Sequence, residues 1–396
     1  MKNNNKWRKS NKKEKKMLNI NTQLLSLVNN QDMTFLIKER LYKILLRYEY
    51  CRLNKKLHYP VNINEIDLNE FNKHLIGFIE GDGSIKSGKR QGHKKGLYRF
   101  SPNMSIKLHS VDIPYLKLII ILLNLDTIKP YLYPENIQKA TSITISKESQ
   151  LSCLFNIVES NQNFLTQKKR RDYKEIKDLL NYISSTKLIK HDLDWLSKGE
   201  ELIKNLNTYK DLNQDKEEYL KLISKDITWE YILGFIEAEG SLVLHYNKIK
   251  DNIWCTFEIT QTKSNGLILY AILDFIKNFN DPLIIKQNVE LKTKGILEDK
   301  GKSRKEILNR LVLISNDYLY YKLIPLMLSK DLYTKMQINL VYFILGVIIL
   351  KYNKKDLKCR ELYFKLKKNM NINNPQEWIS LEEILDVLND LDYSKN

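Results

Sequence analysis

Apolar residues in this chain follow two spacings that alternate in a repeated order. Over residues 74–81, Leu75, Ile76, Phe78 and Ile79 are apolar around most of a helical circumference, which predicts a buried helix. Beyond Gly83 the spacing changes to alternation, with Met104 and Ile106 inward and Asn103, Ser105 and Lys107 outward. The same order returns downstream, where a second apolar helix over 231–239 is followed by Leu242 and Leu244 on one strand face. Ile253, Cys255, Phe257 and Ile259 then share a face opposite Trp254, Thr256, Glu258 and Thr260. An apolar helical run follows each strand pair, Ile113 to Leu125 and Leu267 to Phe279. Two later alternating segments, 141–146 and 307–315, precede further helices. Each unit reads α-β-β-α-β-β-α with one polar sheet face, an α+β fold built twice, over residues 66–186 and 227–350.

The repeat is also explicit in residue identity. His74-Leu75-Ile76-Gly77-Phe78-Ile79-Glu80-Gly81-Asp82-Gly83-Ser84 recurs 157 residues later as Tyr231-Ile232-Leu233-Gly234-Phe235-Ile236-Glu237-Ala238-Glu239-Gly240-Ser241. Gly77 and Gly81, like Gly234 and Ala238, are four apart and open a strip where another backbone can approach. Two such helices can pack side by side along these strips. Asp82 and Glu239 then fall in the last turn, and Gly83 and Gly240 are expected to stop the helices. An acid at a helix C-terminus opposes the macrodipole. The same unfavourable placement in both copies points to function rather than stability. Side by side, the two acids and the helix-end carbonyls make a set of hard oxygen donors suited to Mg2+ or Mn2+. Such ions activate water and stabilise the leaving oxygen of a phosphodiester.

Charge sharpens the partner. The 396 residues include 65 Lys and Arg against 47 Asp and Glu, a net charge of +18 that favours a polyanion. At 43% hydrophobic the chain can bury a core, which excludes a mainly disordered protein. Cys51, Cys153, Cys255 and Cys359 are too scattered for a zinc or Fe–S site or a disulfide framework. The longest apolar runs are too short to span a bilayer, so no membrane partner is expected. Gly and Pro are sparse while Asn, Lys, Ile, Leu and Tyr abound, a bias toward A/T-rich codons that suggests an organelle genome and a mitochondrial location. Outside the repeats lie an N-terminal extension (1–65), whose first sixteen residues carry eight basic groups and one acid, a linker (187–226) and a C-terminal extension (351–396).

The two motif copies, LIGFIEGDGS and ILGFIEAEGS, resemble the signature of the LAGLIDADG homing endonucleases. In the family's two-motif members one chain forms a pseudo-dimer of αββαββα units, which implies a monomer with a DNA-binding saddle. The resemblance implies that Asp82 and Glu239 are catalytic and bind divalent metal, with the carbonyls of Gly81 and Ala238 as further ligands. It gives Glu80 and Glu237 no chemistry. It places Gln261 at a polar position ending the second strand, where the first unit departs with Leu108. It also expects a basic residue before each unit's last helix, here Lys168 and Lys335. The outward strand residues Ser84, Lys86, Asn103, Ser105 and Lys107, with Ser241, His245, Trp254, Thr256, Glu258 and Thr260, would face the major groove. Lys89, Arg90, Lys94, Lys95 and Arg99 would contact phosphates.

The leading expectation is a site-specific double-strand DNA endonuclease with a long, imperfectly palindromic target. The alternative is an intron RNA maturase, for which the terminal extensions would add an RNA surface. A DNA-binding regulator is less favoured, because both acids are retained.

Overall fold

The computed structural model describes residues 35–389 apart from 92–96, 126, 133–138, 187–191, 207, 209–214, 279–292, 300–306 and 371–377. The basic first sixteen residues, Lys94 and Lys95 lie outside these. The chain begins with α1 (Phe35–Asn54). The first unit follows: α2 (Leu68–Asp82), β1 (Gly83–Gln91), β2 (Tyr98–His109), α3 (Ile113–Leu122), β3 (Tyr131–Leu132), β4 (Ala140–Ile145), α4 (Glu148–Asn161) and α5 (Gln167–Ser185). Two connecting helices, α6 (Leu193–Leu202) and α7 (Lys216–Ile223), lead to the second unit. That unit contains α8 (Trp229–Glu239), β5 (Gly240–Asn247), β6 (Asn252–Thr262), α9 (Leu267–Asn278), β7 (Thr293–Asp299) and β8 (Leu308–Leu313). It ends with α10, a helical run over 316–328 with a π-turn at Leu319–Leu323, and α11 (Met336–Tyr352). Helices α12 (Leu357–Asn369) and α13 (Leu381–Asn389) complete the chain.

Each unit forms a four-stranded antiparallel sheet, in the orders β1-β2-β4-β3 and β5-β6-β8-β7. The predicted alternation is visible in burial: Met104 and Ile106 are enclosed between the partly or fully exposed Asn103, Ser105 and Lys107. The register pairs Ser84 with Ser105 and Lys86 with Asn103, so these polar side chains share a face. In the second sheet Ser241 opposes Glu258 and His245 opposes Trp254. The fold is thus two copies of an αββαββα saddle with helices behind.

The two units meet along α2 and α8. Asp67 caps α2, accepting the Asn69 and Glu70 N–H groups at 2.9 and 3.0 Å, and Thr228 caps α8 through the Tyr231 N–H at 3.3 Å. The helices cross so closely that a Cβ added at Gly77 would lie 2.0 Å from the Tyr231 carbonyl oxygen. One at Gly234 would lie 1.9 Å from that of His74. Gly83 and Gly240 do end the helices, but not through a left-handed cap. Their φ/ψ values of −77°/151° and −79°/150° lead straight into the strands. Glycine is needed there for room, since a Cβ at either would meet the Ile79 or Ile236 carbonyl oxygen at 2.5 Å.

Side chains lock the same interface reciprocally. Tyr231, on α8, donates its hydroxyl to Glu80 on α2. His74, on α2, places Nε2 2.7 Å from Glu237 on α8. Each glutamate also accepts two backbone N–H groups ahead of its own unit's long helix: Leu165 and Thr166 for Glu80, Tyr333 and Thr334 for Glu237. Both glutamates are buried, and these bonds offset the cost of removing a carboxylate from water.

The segments outside the repeats are packed rather than appended. On α1, Tyr48 donates to the Ile379 carbonyl at 2.9 Å and meets the Tyr342 ring of α11 edge-on at 5.7 Å. Arg47 makes a two-pronged pair with Asp331 at 2.5 and 3.0 Å. Trp195 of α6 lies 5.1 Å from Phe100 of the first sheet, and Tyr219 of α7 donates to the Leu165 carbonyl at 2.6 Å. Helix α11 is buried along nearly its whole length, and no helix among the described residues is long and apolar enough to cross a membrane.

Gly77→Ala and Gly234→Ala are each expected to destabilise the chain by about 3 kcal/mol or more, the upper range for overpacking, because the obstructing atoms are backbone. Gly88→Ala, with nothing within 4 Å of its added Cβ, is the control. Denaturation midpoints of the three variants check this.

Candidate active site and nucleic-acid interface

The helix crossing brings the last residues of α2 and α8 together. A Cβ on Gly81 would sit 2.4 Å from the Ala238 Cβ and 2.9 Å from Glu239 Cγ, so the Glu239 side chain lies against the residue preceding Asp82. Asp82 and Glu239 are largely enclosed, and the enclosure shapes their acidity. Burial, then the charges of Glu239 and Asp112, push the Asp82 carboxyl from an ordinary 3.8 up to about 7, with Lys169 opposing. Burial likewise raises Glu239, partly offset by a hydrogen bond from Gln261 and by Lys169. Gly81 and Ala238 lie in the final helical turns, where carbonyls lack intrahelical partners.

Strand register fixes which residues correspond. Ile106 pairs with Gly83 and Ile259 with Gly240, so Leu108 stands where the other unit has Gln261. Gln261 is buried and bonded to Glu239. Leu108 offers Asp82 no such contact, and the cleft beside Asp82 is lined instead by Lys107, Lys139, Lys335 and His109. Lys335 therefore stands on the Asp82 side.

The inward basic residue of the first unit is one place further along than the sequence suggested. Lys168 turns to Asp172, four residues on along its own helix. Lys169 is the residue that reaches inward, donating to the Gly83 carbonyl beside Asp82. Burial first, and then the neighbouring Lys168, bring its ammonium down to about 8. Aligned on the amide pairs held by Glu80 and Glu237, Lys335 corresponds to Gln167, whereas aligned on the N–H groups received by Asp112 and Asn265 it corresponds to Lys168, so in neither alignment is Lys169 its counterpart.

The two polar faces differ in character. On the first, Lys86, Lys107 and Arg99 are exposed, with Ser84, Asn103 and Ser105 partly so, and Ser142 and Thr144 of β4 pair with Lys107 and Ser105. On the second, a closed chain runs across the strands. Arg310 pairs with Glu258, Thr256 donates to Glu258 at 3.0 Å, and His245 Nε2 lies 2.7 Å from the Thr256 oxygen. Because the Thr256 hydroxyl is used on Glu258, the imidazole is the donor in that contact, which assigns its proton to Nε2. Burial lowers the His245 pKa, and its ring stacks on Trp254 with centroids 4.8 Å apart. Thr260 opposes Arg310, and Ser241 opposes Glu258. Arg310 was legible as an outward position in the 307–315 alternation, whereas Lys169 carried no signal of its own.

Among the described residues, no three His, Cys, Asp or Glu side chains converge as a metal cluster. The donors at the helix ends are the two carboxylates and the nearby carbonyls. Mg2+ is commonly held by one or two carboxylates plus substrate phosphates. Two acids raised by burial at adjoining helix ends fit that donor set.

Residues 75–180 match the LAGLIDADG endonuclease family profile. The match falls within the first of the two units. Its fold is similar to that of the I-LtrWI LAGLIDADG homing endonuclease bound to target DNA, with TM-score 0.62 and 16% identity over 78% of this chain and 100% of that one. It is similar also to I-GzeII, a LAGLIDADG homing endonuclease in complex with its DNA target, with TM-score 0.59 and 17% identity over 76% and 98%. A Saccharomyces cerevisiae relative, described as an uncharacterised mitochondrial protein RF1, is 30% identical over 289 residues, 70% of this chain and 54% of that protein. The chain thus spans about half the length of that relative.

The raised carboxyl acidity carries a definite sign. Between an unfolded Asp pKa near 3.8 and the folded value of about 7, the folded state binds the extra proton, so the ion-free protein loses stability as pH rises through that window. Asp82→Asn is expected to melt higher than wild type at pH 8 and about equally at pH 4, measured calorimetrically in chelator.

Proposed function

We propose that this chain is a site-specific, metal-dependent double-strand DNA endonuclease that acts as a monomer in mitochondria. The observation that carries the reading is the convergence of Asp82 and Glu239 where α2 and α8 run into two polar sheets. The DNA-bound similar folds and the mitochondrial relative support the substrate and the location.

The chain's own groups divide the work. The sheet faces would lie in the major groove, which admits a two-stranded ribbon, while Lys86, Arg99 and Lys107 neutralise phosphates. Unlike side chains on the two faces imply a target whose halves differ. Asp82 and Glu239, with the carbonyls of Gly81 and Ala238, would hold Mg2+ or Mn2+. When bound, such an ion supplies Lewis-acid polarisation and a more acidic water. Gln261 orients Glu239. The Lys169 and Lys335 ammonium groups stand ready to stabilise charge developing on the scissile phosphates.

The test is to incubate purified protein and Mg2+ with a randomised duplex library and sequence the cut ends. One enriched site is expected, and its absence would refute the endonuclease reading. On that site, Asp82→Asn should abolish double-strand cleavage while DNA affinity in Ca2+ stays within about threefold. Lys169→Met should slow cleavage by about 100-fold, as loss of an electrostatic stabiliser does. Divalent ions should raise the melting temperature of the wild type at pH 8, and raise it much less in an Asp82→Asn/Glu239→Gln variant.

A further inference from the structure

The segment ahead of the first motif sends one side chain to Asp112, which lines the cleft beside Asp82. His58, just after α1, is 8% exposed, and its Nε2 lies 3.1 Å from Asp112 Oδ1. That nitrogen is fully enclosed and makes no regular hydrogen bond, so the carboxylate is what offsets its burial. Asp112 is itself buried and occupies the N-cap position of α3, yet it makes no capping bond there. Its Oδ1 instead crosses to the second unit and accepts the Lys335 backbone N–H at 2.8 Å. Lys335 stands at the N-cap of α11 and lines the cleft beside Asp82.

The other half is built differently at the same place. After β6 the position of Asp112 is taken by Asn265, a neutral amide that receives the Lys168 N–H at 3.4 Å. A carboxylate binds an N–H more strongly than an amide oxygen does, and a buried one must be balanced to stay in place. On the Asp82 side the facing group is the His58 ring.

We infer that His58 is a positioning residue for the Asp82 half of the centre: through Asp112 it fixes the start of α11 and with it Lys335. The inference rests on the nuclease reading above. It makes the N-terminal segment a working part of one half of the site.

The experiment uses the full chain and the target recovered from the library. Single-turnover cleavage is followed on each strand separately, beside DNA affinity in Ca2+ and the melting temperature. Lys335→Ala identifies the strand that depends on this half. His58→Ala should slow that same strand by about 10- to 100-fold, the range for a small misplacement of a catalytic group, with the other strand within about twofold. DNA affinity should be unchanged, and His58→Gln, which keeps an N–H donor, should recover part of the rate. Asp112→Asn, nearly isosteric, should show the same strand bias. Equal slowing of both strands, no slowing of either, or losses that follow affinity or melting temperature in every variant would overturn the inference. If the wild type yields no cut site, the nuclease reading fails first and the positioning role falls with it.

Discussion

Everything in this molecule depends on two helices approaching until backbone meets backbone. Gly77 and Gly234 sit against each other's partner carbonyls with no room for a methyl group. That approach sets the pseudo-twofold relation between the sheets, because each strand β1 or β5 begins directly where its helix ends. It also forces Asp82 and Glu239 into one enclosed space. A shift of Asp82 from 3.8 to about 7 corresponds to about 4 kcal/mol of unfavourable free energy when it is ionised. Against a typical net stability of about 5–15 kcal/mol, such a cost persists only if something is gained from it. The compensation lies in the packing and cross-bonds around the site, and the proposed gain is an affinity for cations at a phosphodiester.

The two halves share a frame and differ in chemistry. The Glu239 half has Gln261 bonded to its carboxylate, while Lys169, on the Gly83 carbonyl, bears on both acids. The Asp82 half has Leu108 where that amide would be, with Lys335, Lys107 and Lys139 along its cleft. A similar division separates the sheet faces. The first presents exposed cations, and the second presents a chain from Arg310 to His245 whose groups already satisfy one another. DNA contacts by the second face must compete with those internal bonds, whereas Lys86 and Arg99 of the first are exposed. A duplicated fold thus carries an asymmetric surface.

Much of this was legible in the chain because its signals are local. The motif is a contiguous string, and the strands beside it are long enough for alternation to show. The third strand of each sheet was not legible. β3 has two exposed residues, and β7 is broken by a register shift at Gly295, which has φ +72°. The choice between Lys168 and Lys169 was likewise hidden, since Lys169 is distinguished by a contact to the Gly83 carbonyl 86 residues away. The packing of α1 was hidden for a related reason. Its Tyr48 partners lie near residues 342 and 379, and no local periodicity reports a contact made at that separation.

The two acids of each motif illustrate how geometry separates structure from chemistry when residue type cannot. Glu80 and Asp82 are two residues apart on one helix, so their side chains leave it about 200° apart. One direction leads into the unit's own interior, where Glu80 finds two backbone N–H groups and the Tyr231 hydroxyl. Glu237 finds the same kind of shell, with His74 in place of the tyrosine. The other direction leads to the junction of the helix ends, where Asp82 faces Glu239 and the charge of Asp112, and burial raises its pKa. A carboxylate with its oxygens filled can hold a fold together but has nothing left to offer a ligand. One left short of partners beside a second acid holds little together, and its free oxygens are what a cation and a phosphate can use.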